Sequence, residues 1–144
     1  MRRVVVDASV LAAITFGEAD APEWSTRLDG AGLYAPTLLQ YELASVARKK
    51  CREFPDRTRE FLLALGLTLS PTRGIVWMDP NPVDVVMIAN ATGLSTYDAS
   101  YLWLAGFLEA DLATRDRKLA ATLDPFANTS SGPSCASPGT EFRP

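Results

Sequence analysis

The chain opens on a run that permits few folds. Arg3-Val4-Val5-Val6 is dominated by β-branched residues and meets Asp7 with no turn residue between them. Such a run reads as a short buried strand, because branched side chains fit an extended backbone and no polar residue marks a solvent face. Ala8 to Phe16 then reads as a helix, with Gly17 as its stop. A buried strand passing straight into a helix needs further strands and helices to cover it.

The rest of the chain supplies them. Pro22 sits at a first-turn position of a helix running through Leu28, ended near Gly30 and Gly32. Leu33-Tyr34-Ala35 reads as a short strand. Pro36-Thr37 starts a long helix whose Leu38, Leu39, Tyr41, Leu43, Val46 and Ala47 form a buried face. Another helix is expected from Arg57 to Leu67, ending at Gly66, and a turn from Ser70 to Gly74 precedes a strand at Ile75 to Met78. Pro82 to Thr92 is a helix stopped by Gly93, and Ser95 or Thr96 caps the next, Tyr97 to Leu108. Asp111 to Thr114 reads as a strand and Asp116 to Leu123 as a short helix. This alternation predicts an α/β fold with a short, mainly parallel central sheet. From Ala127 onward Pro, Gly, Ser, Thr and Asn dominate, so residues 1–126 are expected to form one domain and 127–144 a polar, disordered tail.

Composition narrows the chemistry. The 144 residues contain no histidine and two cysteines. That excludes Ser-His-Asp and Cys-His triads, and every zinc site built on imidazole or on four thiolates. Cys51 and Cys135 are far apart, unlike a disulfide-dense secreted scaffold. The start of the chain shows no apolar signal stretch, and no apolar run approaches the ~18 residues of a membrane span, so a cytoplasmic protein is expected. Catalysis, if present, must run on carboxylates, hydroxyls, amines or a metal held by oxygen.

Four carboxylates fit that remainder. Asp7 and Asp116 follow expected strands, Asp98 lies in the first turn of a capped helix, and Glu42 interrupts an apolar helix face. In open parallel sheets ligands bind beyond the carboxyl ends of the strands. Acids gathered there repel one another unless a cation neutralises them, and oxygen-only ligands suit Mg²⁺ or Mn²⁺. Each acid also has a plainer reading. Asp7 and Asp116 suit helix caps, Asp98 suits the helix dipole, and Glu42 suits solvent or an intrahelical basic partner.

The flanking residues add a resemblance. Val4-Val5-Val6-Asp7-Ala8-Ser9-Val10-Leu11 resembles the first motif of the PIN-domain nucleases. Pro36-Thr37-Leu38-Leu39-Gln40-Tyr41-Glu42-Leu43-Ala44 is similar to the second. Thr96-Tyr97-Asp98-Ala99-Ser100-Tyr101-Leu102-Trp103-Leu104-Ala105 is similar to the third, and Leu112-Ala113-Thr114-Arg115-Asp116-Arg117-Lys118-Leu119 to the fourth. Order and spacing resemble the VapC-type toxin branch over about residues 3–123. The family's apolar closing segment is replaced by Asp124-Pro125-Phe126 and the polar tail.

The resemblance implies a three-layer α/β/α domain that cleaves RNA phosphodiesters with Mg²⁺ or Mn²⁺, leaving a 5′-phosphate. It implies an acidic metal site of Asp7, Glu42, Asp98 and Asp116, with Asp7 and Asp98 as direct ligands and Glu42 and Asp116 nearby or bound through water. Thr114 would orient an acid or a water. It also implies a homodimer neutralised by a cognate VapB-like antitoxin. A catalytically silent PIN-like module that grips RNA or protein is the alternative. An aspartyl-phosphate enzyme fits less well, since Ser9 stands where the haloacid-dehalogenase pattern needs a second Asp.

Charge is distributed to match. The net charge of -3 is the sum of -3 over residues 1–42, +4 over 43–73 and -4 over 74–126, with a neutral remainder. Arg48, Lys49, Lys50 and Arg52 are therefore candidates for RNA phosphate contacts, or else favourable charge at a helix C-terminus. Trp24, Trp77 and Trp103, with Phe61, Leu62, Leu65 and Leu69, read as core or interface residues.

Overall fold

Four strands and seven α-helices alternate through residues 1–129, which the computed structural model describes, with side chains described to Leu123. β1 (Arg3–Val6) leads into α1 (Ala8–Thr15) and α2 (Ala21–Leu28), then β2 (Gly32–Ala35). α3 (Leu38–Glu53) and α4 (Thr58–Leu69) follow, and β3 (Val76–Trp77) comes next. α5 (Pro82–Thr92), α6 (Thr96–Leu108), β4 (Asp111–Ala113) and α7 (Arg117–Thr129) complete the order.

The sheet is parallel throughout, with strand order β3-β2-β1-β4. β1 is central, and Val4, Val5 and Val6 are 2%, 0% and 0% exposed. Burying each contributes up to about 1.5–3 kcal/mol. The crossovers β1→β2→β3 move one way along the sheet and β3→β4 moves back past β1. Right-handed crossovers then set α1–α4 on one face and α5–α7 on the other. The packing agrees: α1 contacts α2, α3 and α4, while α6 contacts α5, α7 and β1. The result is a three-layer α/β/α domain.

The reversal of direction lies between β1 and β4. A crevice forms there at the carboxyl ends, because the connections leaving the two strands diverge to opposite faces. Val6 pairs with Ala113, and the Asp7 amide donates to the Ala113 carbonyl at 3.1 Å. Register therefore sets Asp7 beside Thr114.

Two helices run on past the ends that the sequence predicts. Gly66 does not end α4, which runs to Leu69. A glycine inside a helix costs about 1 kcal/mol, and here tertiary packing outweighs it. The last turn carries Thr68, which is buried and hydrogen-bonds Thr15 of α1 at 2.9 Å, and Leu69, packed against the core. α7 continues past Leu123 to Thr129, three residues into the segment read as a tail. The remainder of that segment, 130–144, lies outside the described residues. No helix among the described residues is long and apolar enough to cross a membrane.

Trp24 is buried, while Trp77 and Trp103 are half-buried against the core. Of the α4 residues, Phe61 is buried, Leu65 and Leu69 pack on the core, and Leu62 is exposed.

Candidate active site

Asp7 caps α1 and belongs to the crevice at the same time. Its Oδ1 accepts from the Val10 amide at 3.2 Å and from Ser9 Oγ at 2.6 Å. Its Oδ2 accepts from Thr114 Oγ1. Both oxygens are held, and the side chain is 6% exposed. The capping and site readings of Asp7 are thus compatible, because a carboxylate oxygen has lone pairs to spare.

The turn after β4 is built around the same contacts. Thr114 Oγ1 accepts from the Asp116 amide at 3.0 Å, and the Arg115 amide donates to Ser9 Oγ at 3.0 Å. Asp116 in turn caps α7, its Oδ1 accepting from the Lys118 and Leu119 amides at 2.9 and 3.3 Å. Leu119, fully buried, anchors that helix.

Glu42 enters from the opposite layer. It lies early in α3, and its Oε1 accepts a 2.6 Å hydrogen bond from the Tyr101 hydroxyl of α6. α3 is itself aimed by Asp79, whose Oδ1 accepts from the Thr37 amide at 2.8 Å and from the Thr37 hydroxyl at 2.7 Å. Asp98 stands in the first turn of α6, where Ser95 Oγ accepts from the Asp98 amide at 3.1 Å.

The acids sense one another. Burial pushes the Glu42 carboxyl above the usual range, the Tyr101 hydrogen bond draws it back, and the charges of Asp7 and Asp98 push it up again. Burial likewise raises Asp98, with Asp116 and then Asp7 adding repulsion that Ser95 and Lys118 partly offset. Tyr101 is pushed far up by burial first and by Glu42 next, so its proton stays on the phenol oxygen. A group with a raised pKa, set among like charges in a strand-end crevice, marks a place where a cation is favourable. The donor set, all hard oxygen with no soft ligand, fits a divalent magnesium or manganese ion. Among the described residues no group of three or more acidic or cysteine side chains stands pre-assembled around one point.

The sequence matches the PIN domain family over residues 4–123. The chain belongs to the PIN domain family. PIN domains are nucleases that are usually metal-dependent. A solved structure, PAE2754 from Pyrobaculum aerophilum, is similar to this PIN domain with 25% sequence identity and a TM-score of 0.69. The match covers 90% of this chain and 96% of that one. No curated protein matches this chain.

The basic cluster stands apart from this PIN domain's acids. Arg48, Lys49 and Arg52 are exposed, and Lys50 is half-buried. Lys50 lies roughly 12 Å along the helix axis from Glu42, by the rise per residue of an α-helix. Its Nζ is 3.7 Å from Glu18 and 5.7 Å from the Phe16 ring centroid.

Four contributors were not among the site residues that the sequence singled out. Ser9 sits two residues after Asp7, and Tyr101 three after Asp98, on the same helix face; their spacing was a usable signal. Asp79 and Arg115 act across long sequence separations that no local pattern reveals.

Proposed function

We propose that this chain is an endoribonuclease that hydrolyses RNA phosphodiesters with Mg²⁺ or Mn²⁺, acting as the toxin of a toxin–antitoxin pair. The observation that carries the reading is that Glu42 and Asp98, both raised first by burial, are each raised further by the charge of Asp7 across the β1/β4 crevice. Asp7 and Asp98 would hold the ion, with Glu42 and Asp116 close by or reached through water. An ion so held acidifies water and steadies charge on the phosphodiester under attack. Thr114 and Ser9 keep both Asp7 oxygens oriented through hydroxyl donors. Tyr101 keeps its proton and donates it in a hydrogen bond to Glu42, so it orients this acid and does not act as a base.

RNA is drawn to an acidic crevice only if basic groups flank it. Arg48, Lys49 and Arg52 are solvent-exposed at the end of the helix that carries Glu42, which supports them as phosphate contacts. A homodimer, and a cognate antitoxin that inserts a segment into the cleft, complete the proposal. The domain is taken to run from β1 through α7.

The test is cleavage of a structured RNA by the purified chain. Activity should require Mg²⁺ or Mn²⁺, disappear with a chelator, and disappear in Asp7→Asn and in Asp98→Asn. Cleavage that survives chelation and both substitutions rejects the reading. RNA binding without turnover favours the silent module. Replacing Arg48, Lys49, Lys50 and Arg52 by Ala should weaken RNA binding and flatten its salt dependence; an unchanged slope removes them from the interface. A small neighbouring gene for a DNA-binding antitoxin would decide the biological role.

A further inference from the structure

We propose that Arg115 is a positioning residue, tethering the β4–α7 turn to the α1–α2 turn so that Thr114 and Ser9 hold Asp7 from both sides. The inference rests on the nuclease reading for its effect on rate, but not for the tether itself. Arg115 lies between Thr114 and Asp116 of the fourth motif, and its own backbone and side chain point to different partners.

The backbone amide of Arg115 donates to Ser9 Oγ, which donates to Asp7 Oδ1. The preceding residue, Thr114, donates to Asp7 Oδ2. Two consecutive residues of one short turn therefore govern both oxygens of the same carboxylate. The guanidinium leaves the crevice and spans to the turn after α1. There Nη1 is 2.5 Å from Glu18 Oε2 and Nε is 3.2 Å from Asp20 Oδ2.

Those two acids are fixed in turn. Asp20 Oδ2 accepts from the indole Nε1 of buried Trp24 at 3.0 Å, and the other oxygen of Glu18 faces Lys50 Nζ at 3.7 Å. A planar guanidinium held by two carboxylates through two different nitrogens specifies an orientation that a single point charge does not. The tether thus joins the fourth motif to the α1–α2 turn and to the end of α3. Its side chains remain part-exposed, 40% for Arg115, 28% for Glu18 and 32% for Asp20. Exposed ion pairs add little to global stability, so a local rather than a global consequence is expected.

A plainer role for Arg115 is direct contact with an RNA phosphate, with the acids as its resting counter-ions. The two roles predict opposite effects at the acids. If Arg115 must be held, neutralising Glu18 and Asp20 lowers the rate. If Arg115 must be free to bind phosphate, neutralising them leaves the rate intact or raises it.

The full chain is compared as wild type, as Arg115→Gln, as Glu18→Gln with Asp20→Asn, and with all three changes. Turnover on a structured RNA, the thermal midpoint, and amide hydrogen exchange at Arg115 and Asp116 are measured. Expected is a kcat loss on the order of tenfold in each variant, no larger when combined, with KM and midpoint unchanged. The two amides should exchange on the order of tenfold faster in every variant. A raised KM in Arg115→Gln with full kcat in the acid pair overturns the proposal in favour of phosphate contact. Unchanged kcat or unchanged exchange also overturns it. A wild-type chain that cuts no RNA refutes the nuclease reading instead, and the exchange comparison then decides the tether alone.

Discussion

Replacing Tyr101 by Phe removes one oxygen and nothing else from a side chain that is 2% exposed. The lost group donates at 2.6 Å to Glu42, so the ionised carboxylate keeps its charge and loses its donor. Hydrogen bonds to charged groups contribute about 1.5–3 kcal/mol, and the half-buried position of Glu42 reduces that to about 1–2 kcal/mol. For a domain of this size such a loss lowers the thermal midpoint by about 3–10 °C. The effect carries a pH signature. The Tyr101 bond lowers a Glu42 pKa that burial raises above 4.5. In the variant Glu42 protonates at still higher pH, so the wild-type advantage is full at neutral pH. It shrinks as pH falls through that raised value and is smallest below 4.5, where the group is protonated in folded and unfolded states alike. Calorimetry of both proteins from pH 4 to pH 8 reads the gap directly, and Glu42→Gln supplies the second edge of a double-mutant cycle. A gap that is absent at neutral pH, or constant across the range, would refute the assignment of Tyr101 as the donor to an ionised Glu42.

Two further outcomes follow from the same geometry. Asp98→Asn should raise the thermal midpoint at pH 7, because Asp98 is raised by burial and by the charges of Asp116 and Asp7. The folded-state cost is present above the raised pKa and vanishes below 3.8, so the gain should disappear in acid; a variant less stable than wild type at pH 7 contradicts this. Gly93→Ala should destabilise by about 1–2 kcal/mol in urea unfolding, since Gly93 ends α5 at φ +75° and a Cβ there meets nothing within 4 Å. The cost is then backbone strain alone, and an unchanged unfolding midpoint would show that the left-handed cap is absent in solution.

Much of the fold was legible because its signals are local. Val4-Val5-Val6 had to be buried, Pro22, Gly93 and Ser95 mark helix ends, and all four strands and seven helices stand near the expected segments. Where the expectation slipped, a distant partner outweighed local propensity. Gly66 reads as a stop, yet Thr68 reaches Thr15 and the last turn of α4 continues. Thr37 reads as a helix start and α3 does begin directly after it, though its hydroxyl goes to Asp79 and not to a cap. For α7 the expected stop near Leu123 gave way to a helix that reaches Thr129.

The sequence by itself determined the chemistry available and the ends of the strands that present it. With no histidine and two distant cysteines, only oxygen donors remained, and Asp7 and Asp116 stand next to strands whatever the topology. The tertiary structure alone decided which acids face which. Strand order β3-β2-β1-β4 brings Asp7 beside Thr114, and packing of α3 and α6 from opposite layers brings Glu42 to Tyr101, 59 residues away. Periodicity specifies the face of an element, but the partner of that face is set by how the layers close over one central strand, which no window of neighbouring residues contains.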